Sequence, residues 1–167
     1  DTDGNGTLTK ENLLEYQGDS GGLQLTRLTV DRIFEENMTY TVDGQAQMDY
    51  KAFLDVVMAV EHREAPESVA FFWRVLDVEH TGRLLPLTIL QFYRSIAVAL
   101  DEHGYAPPSE EDVVREVYDM VGLPQNVPIT LADLIKSSQG PVIVAMLTDA
   151  NSFWCYDNRE SLLQSNE

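Results

Sequence analysis

A helix-loop-helix pattern recurs four times along this chain, and each loop places one apolar residue, Leu8, Met48, Leu84 or Ile129, just ahead of its outgoing helix. A fourfold repeat of this kind leaves few folds open, because apolar positions in successive loops can pair as short strands while the flanking helices bury a shared core. The first loop, Asp1-Thr-Asp3-Gly-Asn5-Gly6-Thr7-Leu8-Thr9, is the most complete. Side chains at positions 1, 3 and 5 aim oxygens at one point, Gly6 permits a sharp turn and the Thr7 carbonyl adds a backbone oxygen. This is the pattern of an EF-hand calcium loop. Position 12, which ordinarily supplies a bidentate Glu, is Asn12, with Glu11 one residue early. Shifting the register by one residue to use Glu11 would displace Gly6 and every other ligand. The candidate metal ligands are therefore Asp1, Asp3, Asn5, Thr7 and Asn12, a weak calcium site with an expected dissociation constant of about 10⁻⁴ M or weaker.

The other loops keep the punctuation and lose the ligands. Thr29 reads as the cap of a second helix through Val30, Ile33 and Phe34, followed by a loop at Asp43-Gly44-Gln45. Asp49 caps the helix of Phe53, Leu54, Val57 and Met58, and the chain turns at Ala65-Pro66. In the third unit Asp77, Gly82 and Leu84 hold positions 1, 6 and 8, while position 12 is Thr88. Pro86 opens a long helix, and Ser109-Glu-Glu-Asp112 reads as a cap for the next. The fourth loop, Gly122 to Thr130, carries two prolines and almost no carboxylates, and Thr130 with Asp133 caps the helix after it. The expected fold is all-α: two paired EF-hand lobes, mostly degenerate, plus a C-terminal extension. Residues 1–64 form the first pair, lacking an incoming helix. Residues 65–138 form the second pair, and 139–167 pack on it, with the apolar run after Pro141 as a short buried helix, Trp154 and its aromatic neighbours as core, and the last residues from Ser165 frayed.

Charge narrows the partners. With 28 acidic against 11 basic side chains, a formal net charge of −17 repels nucleic acid and anionic membrane surfaces, and it favours basic partners or cations. The one cysteine, Cys155, fits a reducing compartment, cytoplasm or nucleus. No apolar run approaches the roughly 20 residues that span a bilayer. His62, His80 and His103 are dispersed, and neither a phosphate loop nor a nucleophile motif is present, so nothing argues for an enzyme.

Several runs resemble a known family. Met48-Asp-Tyr50-Lys51 with Phe53-Leu54-Asp55, Leu76-Asp77-Val78-Glu79 with Gly82, and Asp119-Met120-Val121 are similar to the B-double-prime regulatory subunits of protein phosphatase 2A. The later residues Leu131, Asp133-Leu134-Ile135, Gln139-Gly140, Phe153-Trp154, Tyr156 and Asn158-Arg159-Glu160 resemble the gamma-type branch, which includes the TONNEAU2/FASS proteins of plants. The resemblance runs from about Val30 to Leu162. It implies a noncatalytic subunit that binds the phosphatase scaffold and catalytic subunits and directs dephosphorylation toward cytoskeletal proteins, at centrosomes, basal bodies or cortical microtubules. Better-preserved members keep a calcium loop with an acidic position 12 in one hand, whereas here those positions are Asn12, Ala52, Thr88 and Asp133, and the loop that ends at Asp133 lacks the other ligands. The alternative expectation is a calcium sensor that engages a partner helix on loading.

Overall fold

The computed structural model describes residues 4, 6–16, 25–37 and 39–165. The chain opens with strand β1 (Thr7–Thr9) and helix α1 (Lys10–Glu15), then α2 (Arg27–Glu36) and a hairpin of β2 (Tyr40–Val42) and β3 (Gln45–Asp49). The helices α3 (Tyr50–Glu61), α4 (Pro66–Leu76), α5 (Pro86–Glu102), α6 (Glu110–Val121) and α7 (Leu131–Lys136) follow. The chain continues through α8 (Gly140–Thr148), α9 (Ala150–Asp157) and α10 (Arg159–Gln164).

Local chemistry sets most of these boundaries. Thr9, Asp49, Ser109 and Thr130 each accept a hydrogen bond from a backbone amide of the first helical turn, satisfying a donor the helix itself cannot pair. Pro66 and Pro86 open α4 and α5, where a missing N–H costs nothing and the fixed φ suits the helix. Gly122 ends α6 at φ 80°, a left-handed conformation that glycine adopts without Cβ strain. One cap differs from the sequence reading: Thr26, not Thr29, caps α2. Thr29 is fully buried behind it and donates its amide to the Thr26 hydroxyl.

Both expected position-8 pairings are present. Leu8 lies opposite Met48 between β1 and β3, and Leu84 exchanges two backbone hydrogen bonds with Ile129, at 2.7 and 3.0 Å. The first pairing is larger than expected, because β2 adds a third strand in the order β1-β3-β2. Its turn is the dipeptide Asp43-Gly44, with φ of 50° and 79°. Two successive left-handed residues match the right-handed twist of a two-residue hairpin. The second loop is thus a hairpin rather than a metal loop.

A single apolar core runs through both hand pairs and the C-terminal helices. Phe72 on α4, Phe92 and Tyr93 on α5, and Phe153 on α9 are almost completely enclosed, and the Tyr93 and Phe153 rings lie 5.4 Å apart. Of the aromatic cluster expected as core, Phe153 faces inward, while Trp154 and Tyr156 are partly buried and pack against the core, the Trp154 ring lying 5.7 Å from Tyr105. The short helix α8 is buried on most of its surface, as the run after Pro141 implied. Gly140 starts it where nothing larger fits, since a Cβ there would lie 2.0 Å from the Leu134 carbonyl oxygen. Helix α10 runs to Gln164, Ser165 is its C-cap, and the last two residues, with the expected fraying, lie outside the described ones.

Candidate functional site: the loop ends and their caps

Loops one and three agree at two backbone positions. Positions 4 and 6 are left-handed in both, Gly4 and Gly6 in the first and His80 and Gly82 in the third, with φ between 54° and 79°. In loop three the position-1 carboxylate turns onto its own loop. Asp77 accepts from the amides of Thr81 at 3.0 Å and Gly82 at 2.9 Å. The Thr81 hydroxyl at position 5 turns to the Arg83 carbonyl, and His80 sits 3.2 Å from Glu36 at the end of α2. Loop three therefore holds an EF-hand shape by hydrogen bonds among its own residues.

Of the five metal ligands read from sequence, Asp1, Asp3 and Asn5 lie outside the described residues. Thr7 lies in β1 opposite Asp49, and its hydroxyl donates to the Gln47 side-chain oxygen. Asn12 is the third residue of α1. Its Oδ1 accepts from the Thr9 amide at 3.0 Å and the Thr9 hydroxyl at 3.1 Å, while the Asn12 amide donates back to that hydroxyl. This is a reciprocal capping box, and it engages the one oxygen that position 12 could offer a cation. The described end of the loop therefore suits calcium poorly at position 12. Among the described residues there is no cluster of three or more His, Cys, Asp or Glu side chains placed to hold a metal.

The fourth loop repeats the arrangement. Asp133 at position 12 accepts from the Thr130 amide and hydroxyl, both at 2.8 Å, while its own amide donates to that hydroxyl. These backbone and side-chain hydrogen bonds hold the Asp133 carboxyl below its ordinary range. Positions 9 and 12 in loops one and four thus serve as helix caps. Sequence reading identified the fourth box. It missed the first, because Asn12 was weighed only as a deficient metal ligand.

A surface depression of about 780 Å³ lies along α3 and α4, with Met58, Ala59, Ala65, Phe71, Trp73 and Leu131 among its lining residues. Met58 is 57% exposed, and Leu54, one turn earlier on α3, is 41% exposed. Asp55 and Glu67 stand on its two walls.

Paired helix-loop-helix units joined through short strands define a protein of the EF-hand class. The fold agrees with a solved chain of a PP2A PR70 holoenzyme in a di-calcium form, at a TM-score of 0.77 over 92% of this chain and 55% of that one, with 21% sequence identity. No family model matches the chain. Over 163 residues, 98% of its length, it is 40% identical to the gamma-type B'' regulatory subunit of serine/threonine-protein phosphatase 2A from Homo sapiens and 42% identical to that from Xenopus tropicalis. It is 35% identical to TON2, a probable B'' regulatory subunit of the same phosphatase in Arabidopsis thaliana. The chain is a homologue of the B'' regulatory subunits of protein phosphatase 2A, and it spans about a third of the length of these relatives, 34 to 35%. No described helix is long and apolar enough to cross a membrane.

Proposed function

We propose that this chain is the EF-hand part of a noncatalytic regulatory subunit of protein phosphatase 2A, which binds the scaffold and catalytic subunits and directs dephosphorylation of cytoskeletal proteins. The observation that carries the reading is 40% identity across 98% of the chain to a protein named for that regulatory role. Target and place, a centrosome, basal body or cortical cytoskeleton in the cytoplasm, extend the same reading. Residues 1–64 and 65–138 act as two hand pairs, and 139–167 brace the second.

Calcium has a minor part in this proposal. A site at Asp1, Asp3, Asn5, Thr7 and Asn12 is weak, because Asn12 offers one oxygen where a Glu offers two and that oxygen already completes a helix cap. The function is to present a surface rather than to sense calcium. The test is co-purification of the full-length protein with the scaffold and catalytic subunits. Recovery of both supports the reading, and recovery of neither overturns it.

A further inference from the structure

Arg63 lies in the turn between α3 and α4, and its side chain runs inward. Its Nη1 donates to the Thr148 hydroxyl at 3.3 Å, its guanidinium stands 5.0 Å from the Phe72 ring centroid, and its Nη2 lies 3.7 Å from Asp149 Oδ2. The Asp149 side chain is completely enclosed and that of Arg63 is 15% exposed. Asp149 joins α8 to α9, capping α9 through the Ser152 amide at 2.8 Å. Its backbone bridges to Leu25, and the amide of Thr26, the cap of α2, donates to the Thr148 carbonyl at 3.1 Å. Three segments distant in sequence thus converge on one buried pair: the head of α2, the turn between the second and third hands, and the junction of the C-terminal helices.

The pair is not fully satisfied. Arg63 Nε and Nη2 and Asp149 Oδ2 are buried and have no hydrogen-bond partner among the described residues. Asp149 is held first by the Ser152 amide and then by the Arg63 charge, and among the described residues Asp149 is the carboxylate that faces Arg63, in surroundings where an unpaired charge is costly. Elsewhere the buried cation Arg32 is well supplied: it donates to the Val75 and Arg74 carbonyls at 3.1 Å and pairs with Glu35 and Glu36. A pair whose members depend on each other couples the segments that carry them.

We propose that Arg63 and Asp149 form a buried clasp through which the C-terminal helices strap the turn between the two hand pairs to the head of α2. While the clasp is closed, the two pairs and the extension move as one body. Release of the α8–α9 junction frees Leu25 and Thr26 together with the turn. This device rests on the geometry of the chain itself and is independent of the phosphatase reading.

A double-mutant cycle on the whole chain tests it, with Arg63→Met keeping the stem over Phe72 and Asp149→Asn keeping the Ser152 cap. Each single variant leaves a buried charge without its partner and lowers the melting temperature by about 6 °C or more. The double variant recovers at least half of that loss. In either single variant, exchange of the Thr26 and Ser152 amides accelerates about tenfold or more, while the Leu84 amide, bonded to Ile129, keeps its wild-type rate. A single variant that fails to fold while the double variant folds gives the same answer. Additive melting losses, or unchanged exchange at Thr26, overturn the proposal. If no variant of the cycle folds, Thr148→Val, which removes the Arg63 acceptor, is read on the same amides: faster exchange at Thr26 supports the clasp and unchanged exchange overturns it.

Discussion

The two hand pairs are joined by different means. The first is stitched by a three-stranded sheet, whereas the second has one isolated bridge, Leu84 with Ile129, and then leans on α8 and α9. Phe153 on α9 closes over Tyr93 on α5, and Gly140 lets α8 start against the Leu134 carbonyl. Where backbone pairing is minimal, buried apolar area from a later segment takes its place. The second pair should therefore fail when the extension is damaged, and the first when its strands are.

The largest expected effect is at Gly140. Gly140→Ala sets a Cβ against backbone that cannot swing aside, so a loss of about 3 kcal/mol or more is expected in chemical denaturation. A near-neutral result would show that α7 and α8 can separate freely and that the extension is not seated as described. Phe153→Ala removes an enclosed ring and should cost about 3 to 5 kcal/mol. Trp154→Ala, at a half-buried ring, should cost clearly less; a reversal of that order would restore Trp154 to the core.

The first pair answers to a smaller change. Gly44→Val puts a β-branched residue at φ 79° in the hairpin turn and should cost about 1 to 3 kcal/mol. Amide exchange should speed up in β2 and β3 while the Leu84 to Ile129 bridge keeps its protection. Equal loosening of both pairs would erase the distinction between them.

Two tyrosines tie the extension to alkaline pH. Tyr93 and Tyr156 both have pKa values pushed up to about 12, chiefly by desolvation. Tyr93 is helped by the nearby Asp157, and Tyr156 by donating its hydroxyl to Glu116. A folded value above the unfolded one of about 10 means that their contribution is complete below pH 10 and is lost as pH rises toward 12. Tyr156→Phe should flatten the loss over that window in melting curves. An unchanged slope would remove Tyr156 from the cause.

The smallest effect is at the caps. The Asp133 carboxyl, held below its ordinary range by Thr130, gives stability that is present above its unfolded pKa and lost as pH falls through the folded value. Asp133→Asn should therefore reduce the acid dependence of melting. Asn12 already occupies the matching position without a charge.

How much of this was legible in the sequence depends on the range of the interaction. The position-8 pairings, the caps at Asp49, Ser109 and Thr130, and the proline starts at Pro66 and Pro86 all follow from local rules and are present. The third strand also had a local signal, Asp43-Gly44 between Val42 and Gln45, but the repeat led the reading to expect a loop there. Thr26 and Thr29 are both suitable caps by type, and only packing chooses between them. Which ring of Phe153-Trp154 faces inward depends on the angle of α9 against α5, and the meeting of Arg63, Asp149 and Leu25 depends on tertiary contacts with no local trace. At the candidate metal site, the shape of the loop end was legible through Gly6 and Leu8. The capping role of Asn12 was hidden because the same position in an EF-hand loop is read first for calcium.

The central claim is that this chain presents a surface without waiting for calcium. Its most direct test is the affinity of the full-length protein for the phosphatase scaffold, measured in chelator and again in millimolar calcium. Affinities agreeing within about twofold, less than 0.5 kcal/mol, are the predicted result. Binding that appears only with calcium, and is abolished by Asp1→Ala, would contradict the account and make the chain a sensor.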